Sequence, residues 1–165
     1  MKKVVTWLFV ILACVTAPAW ADVDGIAPVS DLQQDAASAR AIKGAILLVM
    51  VAENCVYCEH VQNDFLVPMS HNPTYRDRLV MRRILVSSLD NVRGFDGKPT
   101  TPAELASLYG AKFTPTVVLL DSTGHRLAKP LIGFSSPDYY GMYLDDAINE
   151  AVAKVRTPAA TASAD

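Results

Sequence analysis

Residues 45–58 read Ala45-Ile46-Leu47-Leu48-Val49-Met50-Val51-Ala52-Glu53-Asn54-Cys55-Val56-Tyr57-Cys58, and this stretch decides the fold. Its first eight residues form an uninterrupted apolar run, which is typical of a strand buried on both faces. Beyond it, Cys58, Val61 and Phe65 recur at the spacing of one helical face. The sequence therefore predicts a strand followed directly by a helix, with both cysteines at the junction.

The spacing of the two cysteines indicates dithiol–disulfide exchange. Cys55 would lie at a helix N-terminus, where unpaired backbone N–H groups and the helix dipole favour its thiolate. Cys58, one turn later, would be close enough to attack a mixed disulfide formed at Cys55. Both residues are therefore predicted to be catalytic, and a redox-active Cys55–Cys58 disulfide would serve in place of a bound cofactor.

Other uses of this cysteine pair fit less well. A bridge across two residues closes almost no loop, so a purely structural disulfide here would add little stability. A structural zinc ion needs four ligands, and the three histidines of the chain are not suitably spaced, so we expect no metal. Covalent haem attachment needs a histidine directly after the second cysteine, and Glu59 stands there.

The N-terminal segment 1–21 is predicted to be an export signal. Lys2 and Lys3 precede the apolar stretch Val4–Val15, and Ala19-Trp20-Ala21 fits a small-x-small cleavage site. The apolar stretch is shorter than the roughly 20 residues of a membrane span. This pattern predicts a periplasmic protein.

An alternative interpretation of the same segment is a lipoprotein signal. Ile11-Leu12-Ala13-Cys14 resembles a bacterial lipobox, and Cys14 would then carry a lipid anchor to the membrane. Both interpretations take the protein out of the bacterial cytoplasm. In the cytoplasm, cysteine thiols are kept reduced and disulfides are rare.

The chain that remains after the predicted export signal, residues 22–165, has the length and charge of one ordinary domain. Removing residues 1–21 leaves 144 of 165, with 13 basic and 17 acidic side chains. No basic stripe is present, which argues against a nucleic-acid partner. We assign residues 22–156 to one domain and expect the Ala/Thr/Ser-rich tail 157–165 to be disordered.

Helix-capping residues, prolines and glycines along the chain predict the order helix, strand, helix, strand, helix, strand, strand, helix. The four helices are expected from a Ser30 cap to Ile42, from Cys55 to an end or kink before Pro68 (followed by a short helical piece at 74–79), from Thr101 to Tyr109, and from Ser136; the strands are expected at 45–52, 80–86, 115–121 and 126–132. Strands joined through helices should be parallel, and the last two, joined by a tight turn, antiparallel. Ser87–Thr100 is expected to be a long polar connection.

At this point the chain resembles the thioredoxin superfamily. The resemblance covers about residues 40–155 and rests on Cys55-Val56-Tyr57-Cys58 after the first strand, Phe113-Thr114-Pro115-Thr116 before the third, and Asp121 with Gly124 at the hairpin. It implies an α/β thioredoxin fold, a mixed four-stranded sheet flanked by helices, here with an extra N-terminal helix. It also implies that Pro115 is a cis-proline facing the dithiol, and that Pro115 and the Thr114 backbone bind substrate.

Within the superfamily the chain is similar to exported, SoxW-like thioredoxins, with Phe95-Asp96-Gly97 and Gly133-Phe134 as further supporting residues. Two positions depart from thioredoxin proper. Val49 replaces a buried aspartate six residues before the first cysteine, and Asn54 replaces the tryptophan directly before it. Proton transfer would then fall to water or to Glu59.

The residues near the cysteines favour a reductase of protein disulfides. Val56 and Tyr57 carry no positive charge, and Glu59 would oppose a thiolate at Cys55, so the thiol should not be extremely acidic. Such a reductase needs a membrane thiol electron donor. The alternatives are a disulfide isomerase or oxidase, a reductant dedicated to apocytochrome cysteines that uses the Ser87–Thr100 loop, and a non-enzymatic thioredoxin-like binding module for exported clients.

Overall fold

The computed structural model of the protein describes residues 25–157. The predicted export signal at 1–21, including Cys14, lies outside the described residues, as does the tail beyond Thr157.

A mixed four-stranded sheet forms the centre of the molecule. The strands, in chain order, are β1 (Ala45–Val51), β2 (Leu79–Leu85), β3 (Val92–Arg93), β4 (Pro99–Thr100), β5 (Thr116–Leu120) and β6 (Leu131–Ile132). The sheet order is β2-β1-β5-β6, with β1 parallel to β2 and β5 antiparallel to both β1 and β6. The predicted mixed sheet is confirmed, and so are the parallel first pair and the antiparallel last pair.

Helices cover both faces of this sheet. They are α1 (Leu32–Ala41), α2 (Val56–His60), a π-helical segment (Val61–Leu66), α3 (Val67–His71), α4 (Pro73–Arg76), α5 (Pro102–Leu108) and α6 (Pro137–Arg156). All seven residues of β1 are buried, as its continuous apolar run predicts. Leu47, Val49 and Val51 pack with the cysteine-bearing helices and α6, whereas Ile46 and Leu48 pack with α1 and α5.

The first helix is capped one residue later than predicted. The Asp31 carboxylate accepts hydrogen bonds from the backbone N–H groups of Gln33 (2.9 Å) and Gln34 (3.1 Å), so the cap is Asp31 and not Ser30. Ser30 is still part of the extended lead-in, because its carbonyl accepts a hydrogen bond from Arg93 N–H (2.9 Å). Serine and aspartate are equally good caps, and the contact with Arg93 decides between them.

The helical run after Cys55 does not end before Pro68. It continues to His71, and the residues before the proline adopt the wider π-helical turn. In that turn Val67 N–H donates to the carbonyl of Gln62, five residues back. Pro68, which has no N–H to donate to the preceding turn, directly follows this π-helical segment, and such a widened turn is one way in which a helical run accommodates a proline.

The long polar connection contains a small hairpin that was not predicted. Val92 pairs with Thr100 and Arg93 with Pro99, and Gly97 provides the left-handed turn at φ 81°. Arg93 Nε also lies 3.2 Å from Asp31 Oδ2, so the hairpin is attached to the start of α1.

The last strand is shorter than predicted. The segment after the 122–125 turn forms a single bridge, Leu120 with Arg126, before β6 begins at Leu131. Pro130 cannot donate a ladder hydrogen bond, which explains the interruption, and β6 is the edge strand that this proline indicates.

Candidate active site around Cys55 and Cys58

Cys55 and Cys58 form a disulfide between the end of β1 and the start of α2. Cys55 is the N-cap residue of α2, and its Sγ accepts a hydrogen bond from the backbone N–H of Cys58 at 3.2 Å. Asn54, just before it, has φ 53°, a left-handed conformation that asparagine tolerates better than most residues. The sequence therefore places both cysteines correctly at the strand-to-helix junction.

The two sulfurs differ in their access to solvent. Cys58 is 1% exposed and belongs to the core cluster that contains Val49 and Val61. Cys55 is only half-buried and lies at the edge of the same cluster. A thiol in solution can therefore reach Cys55 more readily than Cys58.

Thr114, the residue directly before Pro115, lies next to this disulfide. The Thr114–Pro115 peptide bond is cis. Thr114 Oγ1 is 3.7 Å from Cys55 Sγ, a contact that the sequence did not predict. Pro115 is buried, and its carbonyl accepts a hydrogen bond from Gly133 N–H at 2.7 Å, which joins this segment to the end of β6.

Apolar side chains surround the disulfide. Val56, Tyr57 and Phe113 are 62%, 60% and 69% exposed, which is unusual for large apolar residues. A cavity of about 730 Å³ opens beside Thr114, and its lining is mostly small residues and includes Ala52, Ala103, Ala106, Gly110 and Ala111. Exposed apolar side chains therefore lie between the cysteines and beside Thr114, and the cavity next to Thr114 has room for a side chain.

An aromatic cluster centred on Phe134 packs against the active-site helix. Its ring centroid lies 6.2 Å from Tyr57, 6.2 Å from Phe65 and 5.2 Å from Tyr140. The His60 imidazole stacks on it almost in parallel, at 5.7 Å and 8°. Sequence reasoning missed this cluster, although an aromatic residue directly after Gly133 and before the last helix was a usable signal.

His60 and Glu59 are both surface residues of the helix. His60 Nδ1 lies 2.8 Å from Asp64 Oδ2, and both side chains are about half exposed. Glu59 is exposed, and its backbone N–H donates to the Cys55 carbonyl at 3.1 Å.

The buried surroundings of Cys58 are apolar. Val49 is fully buried in the same core cluster. Within residues 25–157 the one buried carboxylate is Asp35, and it lies on α1, across the sheet from Cys58. Burial raises the pKa of Asp35, although its ion pair with Arg82 (2.7 Å) acts in the opposite direction. Asp35 therefore does not replace the aspartate that Val49 displaces.

The described residues offer neither a cluster of metal ligands nor a helix suited to a membrane. Residues 25–157 contain no group of three or more His, Cys, Asp or Glu side chains arranged to hold a metal ion. Among the helices in that range, none combines the length and apolarity needed to span a membrane.

Comparison with known families identifies the fold independently. A family model described as a thioredoxin-like domain matches residues 32–148, which is most of the chain. The chain belongs to the thioredoxin-like family. A search of curated proteins found no relative of this thioredoxin-like protein.

Solved structures show the same fold at low identity. A thioredoxin-fold protein from Helicobacter pylori is 20% identical with a TM-score of 0.52, and the match covers 68% of this chain and 79% of that one. Thioredoxin NaTrxh from Nicotiana alata is 17% identical with a TM-score of 0.50, covering 76% and 94%. Thioredoxin O2 from Arabidopsis thaliana, in its oxidised state, is 10% identical with a TM-score of 0.51, covering 77% and 94%.

A thioredoxin-like domain with a Cys55–Cys58 disulfide at a helix N-terminus is a thiol–disulfide oxidoreductase. The helix N-terminus favours the thiolate at Cys55, and the second sulfur is one turn away, so the arrangement suits exchange between a dithiol and a disulfide.

Proposed function

We propose that this protein is an exported reductase of protein disulfides, with Cys55 as the attacking thiol and Cys58 as the resolving thiol. The observation that carries the assignment of roles is the difference in exposure: Cys55 is half-buried, whereas Cys58 is 1% exposed. The predicted export signal at 1–21 supports the compartment.

The reaction proceeds in two exchanges. The Cys55 thiolate attacks one sulfur of a client disulfide, which forms a mixed disulfide and releases the other client sulfur as a thiolate. The Cys58 thiolate then attacks Cys55 Sγ, which breaks the mixed disulfide and releases the second client thiolate. Two electrons pass to the client, the two client thiolates take up protons, and the protein is left with the disulfide seen in this structure.

The client would bind across Thr114 and Pro115. The backbone of Thr114 pairs with an extended client segment, which gives affinity with little sequence specificity. The exposed side chains of Val56, Tyr57 and Phe113 add apolar contact area around the sulfur. This surface suits unfolded or extended segments, which expose apolar residues next to their cysteines.

The residues between and directly after the cysteines support reduction of clients as the direction of electron flow. Val56 and Tyr57, between the cysteines, carry no positive charge, and Glu59 N–H lies within hydrogen-bond distance of the Cys55 carbonyl, which places an acidic residue on the first turn. A thiolate without a nearby cation is stabilised less, so the dithiol is a better reductant. In the periplasm such a protein needs a membrane thiol donor, and a lipid anchor at Cys14 would hold it near one.

The deciding experiment is the equilibrium of the dithiol with glutathione, measured by alkylation and mass shift. A potential near that of thioredoxin, roughly −270 mV, supports a reductase. A potential near roughly −120 mV, as in strong periplasmic oxidants, would instead make the protein a disulfide donor. If the loss of either cysteine left the function intact, the protein would instead be a non-enzymatic thioredoxin-like binding module for exported clients.

A further inference from the structure

The outer edge of β6 is open, because no strand of the described chain pairs with it on that side. Gly133 N–H donates to the Pro115 carbonyl at 2.7 Å, which fixes the bonded positions of the β5–β6 pair. Bonded and non-bonded positions alternate along an antiparallel pair, so the N–H and C=O groups of Ile132 point away from β5. The edge of the sheet therefore presents one donor and one acceptor on the same residue.

Exposed apolar side chains flank this edge on both faces of the sheet. Leu131 packs against the core that contains α6, so Ile132, the next residue of the strand, lies on the opposite face, where it is 57% exposed. On the α6 side, Tyr139, Met142 and Tyr143 are 58%, 51% and 52% exposed. Their spacing of three and four residues places them in one ridge along the helix. Apolar surface of this kind marks an interaction site.

A cavity of about 370 Å³ lies between this ridge and β6. Its lining is mostly apolar and includes Leu131, Ile132, Tyr143 and Ala147. A partner that covers this face needs an extended edge to pair with Ile132 and an apolar side chain to enter the cavity. A second copy of the chain supplies both, through its own Ile132 and Tyr143.

Symmetry and charge also favour a second copy. Residues that exchange both backbone hydrogen bonds in an antiparallel pair lie directly opposite each other, so a two-fold axis at Ile132 pairs this residue with its own copy. The same axis brings Lys129 opposite Ser135 of the second copy, next to Asp138 in the first turn of α6. Lys129 and Asp138 are both exposed, and neither forms an ion pair within residues 25–157. The face is therefore complementary to itself in charge as well as in hydrogen bonding.

We propose that two copies of this chain associate through their β6 edges, which joins their four-stranded sheets into one continuous sheet. The two-fold axis is perpendicular to this sheet, so both α6 helices lie on the same side, with their ridges packed against each other. The interface does not depend on the proposed reductase function. Cys55 follows β1, which lies two strands, about 10 Å, inside the paired edge, so the dithiol of each copy remains open to clients.

The dimer is expected to be weak. Pro130 also turns its nitrogen toward the open edge, and it has no N–H to donate. A fully covered aromatic side chain buries roughly 150–250 Å², and about half of each side chain in the ridge is available. The area buried per copy is then several hundred Å², which is below the roughly 800 Å² per partner of standard interfaces. We therefore expect a dissociation constant in the micromolar range.

Sedimentation equilibrium over a series of protein concentrations tests this interface. We expect the parent protein to dimerise and both I132K and Y143K to dimerise about tenfold more weakly or less, because each would bury an ammonium group against its own copy. L108K is the matched control, since Leu108 is 72% exposed on α5, away from β6. It should dimerise like the parent protein. Circular dichroism would verify that all variants fold, and Y143K keeps the test valid if I132K does not.

A cross-link tests the two-fold arrangement itself. Facing Cα atoms of a hydrogen-bonded antiparallel pair are about 5.5 Å apart, which is within the range that a disulfide spans. In a protein whose Cys55 and Cys58 are replaced by alanine, I132C should form a covalent dimer on mild oxidation. Non-reducing electrophoresis would detect it, and L108C should remain monomeric under the same conditions. A dimeric protein that gives no I132C cross-link would contradict the pairing of the β6 edges.

The remaining outcomes separate a second copy from a client. A parent protein that stays monomeric up to about 1 mM, or I132K and Y143K variants that dimerise like the parent, would overturn the proposal. If the parent is monomeric and I132K reduces insulin more slowly than L108K, this face binds clients instead. Unchanged insulin reduction by a monomeric I132K supports a dimer that leaves the dithiol open. A parent protein that dimerises but does not reduce insulin would contradict only the proposed function.

Discussion

Cys55 and Cys58 are three positions apart in the sequence, but one lies near the surface and the other in the core. Cys55 is a helix N-cap residue at the surface, with a backbone N–H and a threonine hydroxyl near its sulfur. Cys58 is packed among apolar residues of the core, where burial disfavours a charged sulfur. This asymmetry gives each sulfur a distinct place in a two-step exchange.

Substituting each cysteine separately should reveal that order. We expect C55S to abolish the reduction of insulin, because the remaining thiol is buried. We expect C58S to accumulate a mixed disulfide with its client, because nothing resolves the first exchange. Non-reducing electrophoresis and intact mass would detect the trapped species. Insulin reduction by C55S, or trapping by C55S in place of C58S, would show that the assigned order is wrong.

At the scale of elements, the sequence predicted best those features that depend on adjacent residues. Thr101 and Glu104 form a capping box at the start of α5, where a helix beginning at Thr101 was predicted, with each side chain bonded to the other residue's backbone. The backbone N–H of Thr101 holds the pKa of the Glu104 carboxyl below its usual value. The continuous apolar run of β1 and the Thr114-Pro115 pair were recognisable for the same reason.

Features that depend on distant residues were not predictable. The cap at Asp31 and the β3–β4 hairpin exist because Arg93 contacts both Ser30 and Asp31, some sixty positions earlier in the chain. Strands of two residues carry no alternation of apolar and polar side chains that could indicate them. Likewise, the contact between Thr114 and Cys55 requires the sheet to bring two segments together.

Removing the cap of α5 should destabilise the protein measurably. We expect T101A to lower the free energy of unfolding by about 1 kcal/mol, because a helix N–H group loses its acceptor. T101S, which keeps the hydroxyl, should lose much less. Urea unfolding followed by circular dichroism would measure both. Equal losses for the two variants would show that the methyl group, and not the hydrogen bond, matters at this position.

At the scale of the whole molecule, the sheet separates two cores of different character. One core contains the cysteines, α6 and the aromatic cluster around Phe134. The other lies under α1 and α5, and Asp35, only 3% exposed, borders it. One oxygen of Asp35 pairs with Arg82, while the second has no hydrogen-bond partner among the described residues. Ionising this carboxyl in the folded protein is therefore unfavourable.

This buried carboxyl should make stability depend on pH. Burial raises the pKa of Asp35 above its ordinary value of 3.8 in the folded protein, although Arg82 opposes the shift. Between the ordinary and the raised pKa the folded state binds more protons than the unfolded state, so the free energy of unfolding falls as pH rises through that window. We expect D35N to flatten this dependence. Urea unfolding at a series of pH values would measure it, and parallel curves for the two proteins would contradict the expectation.

The packing of Phe134 against the active-site helix has a spectroscopic consequence. The only two tryptophans, Trp7 and Trp20, lie in the segment expected to be removed on export, so tyrosine becomes the strongest chromophore. Tyr57 stands between the two cysteines, and its ring lies 6.2 Å from that of Phe134. Reduction breaks the bond that links the residues on either side of Tyr57, so we expect the near-ultraviolet circular dichroism of this ring pair to report the redox state without a label.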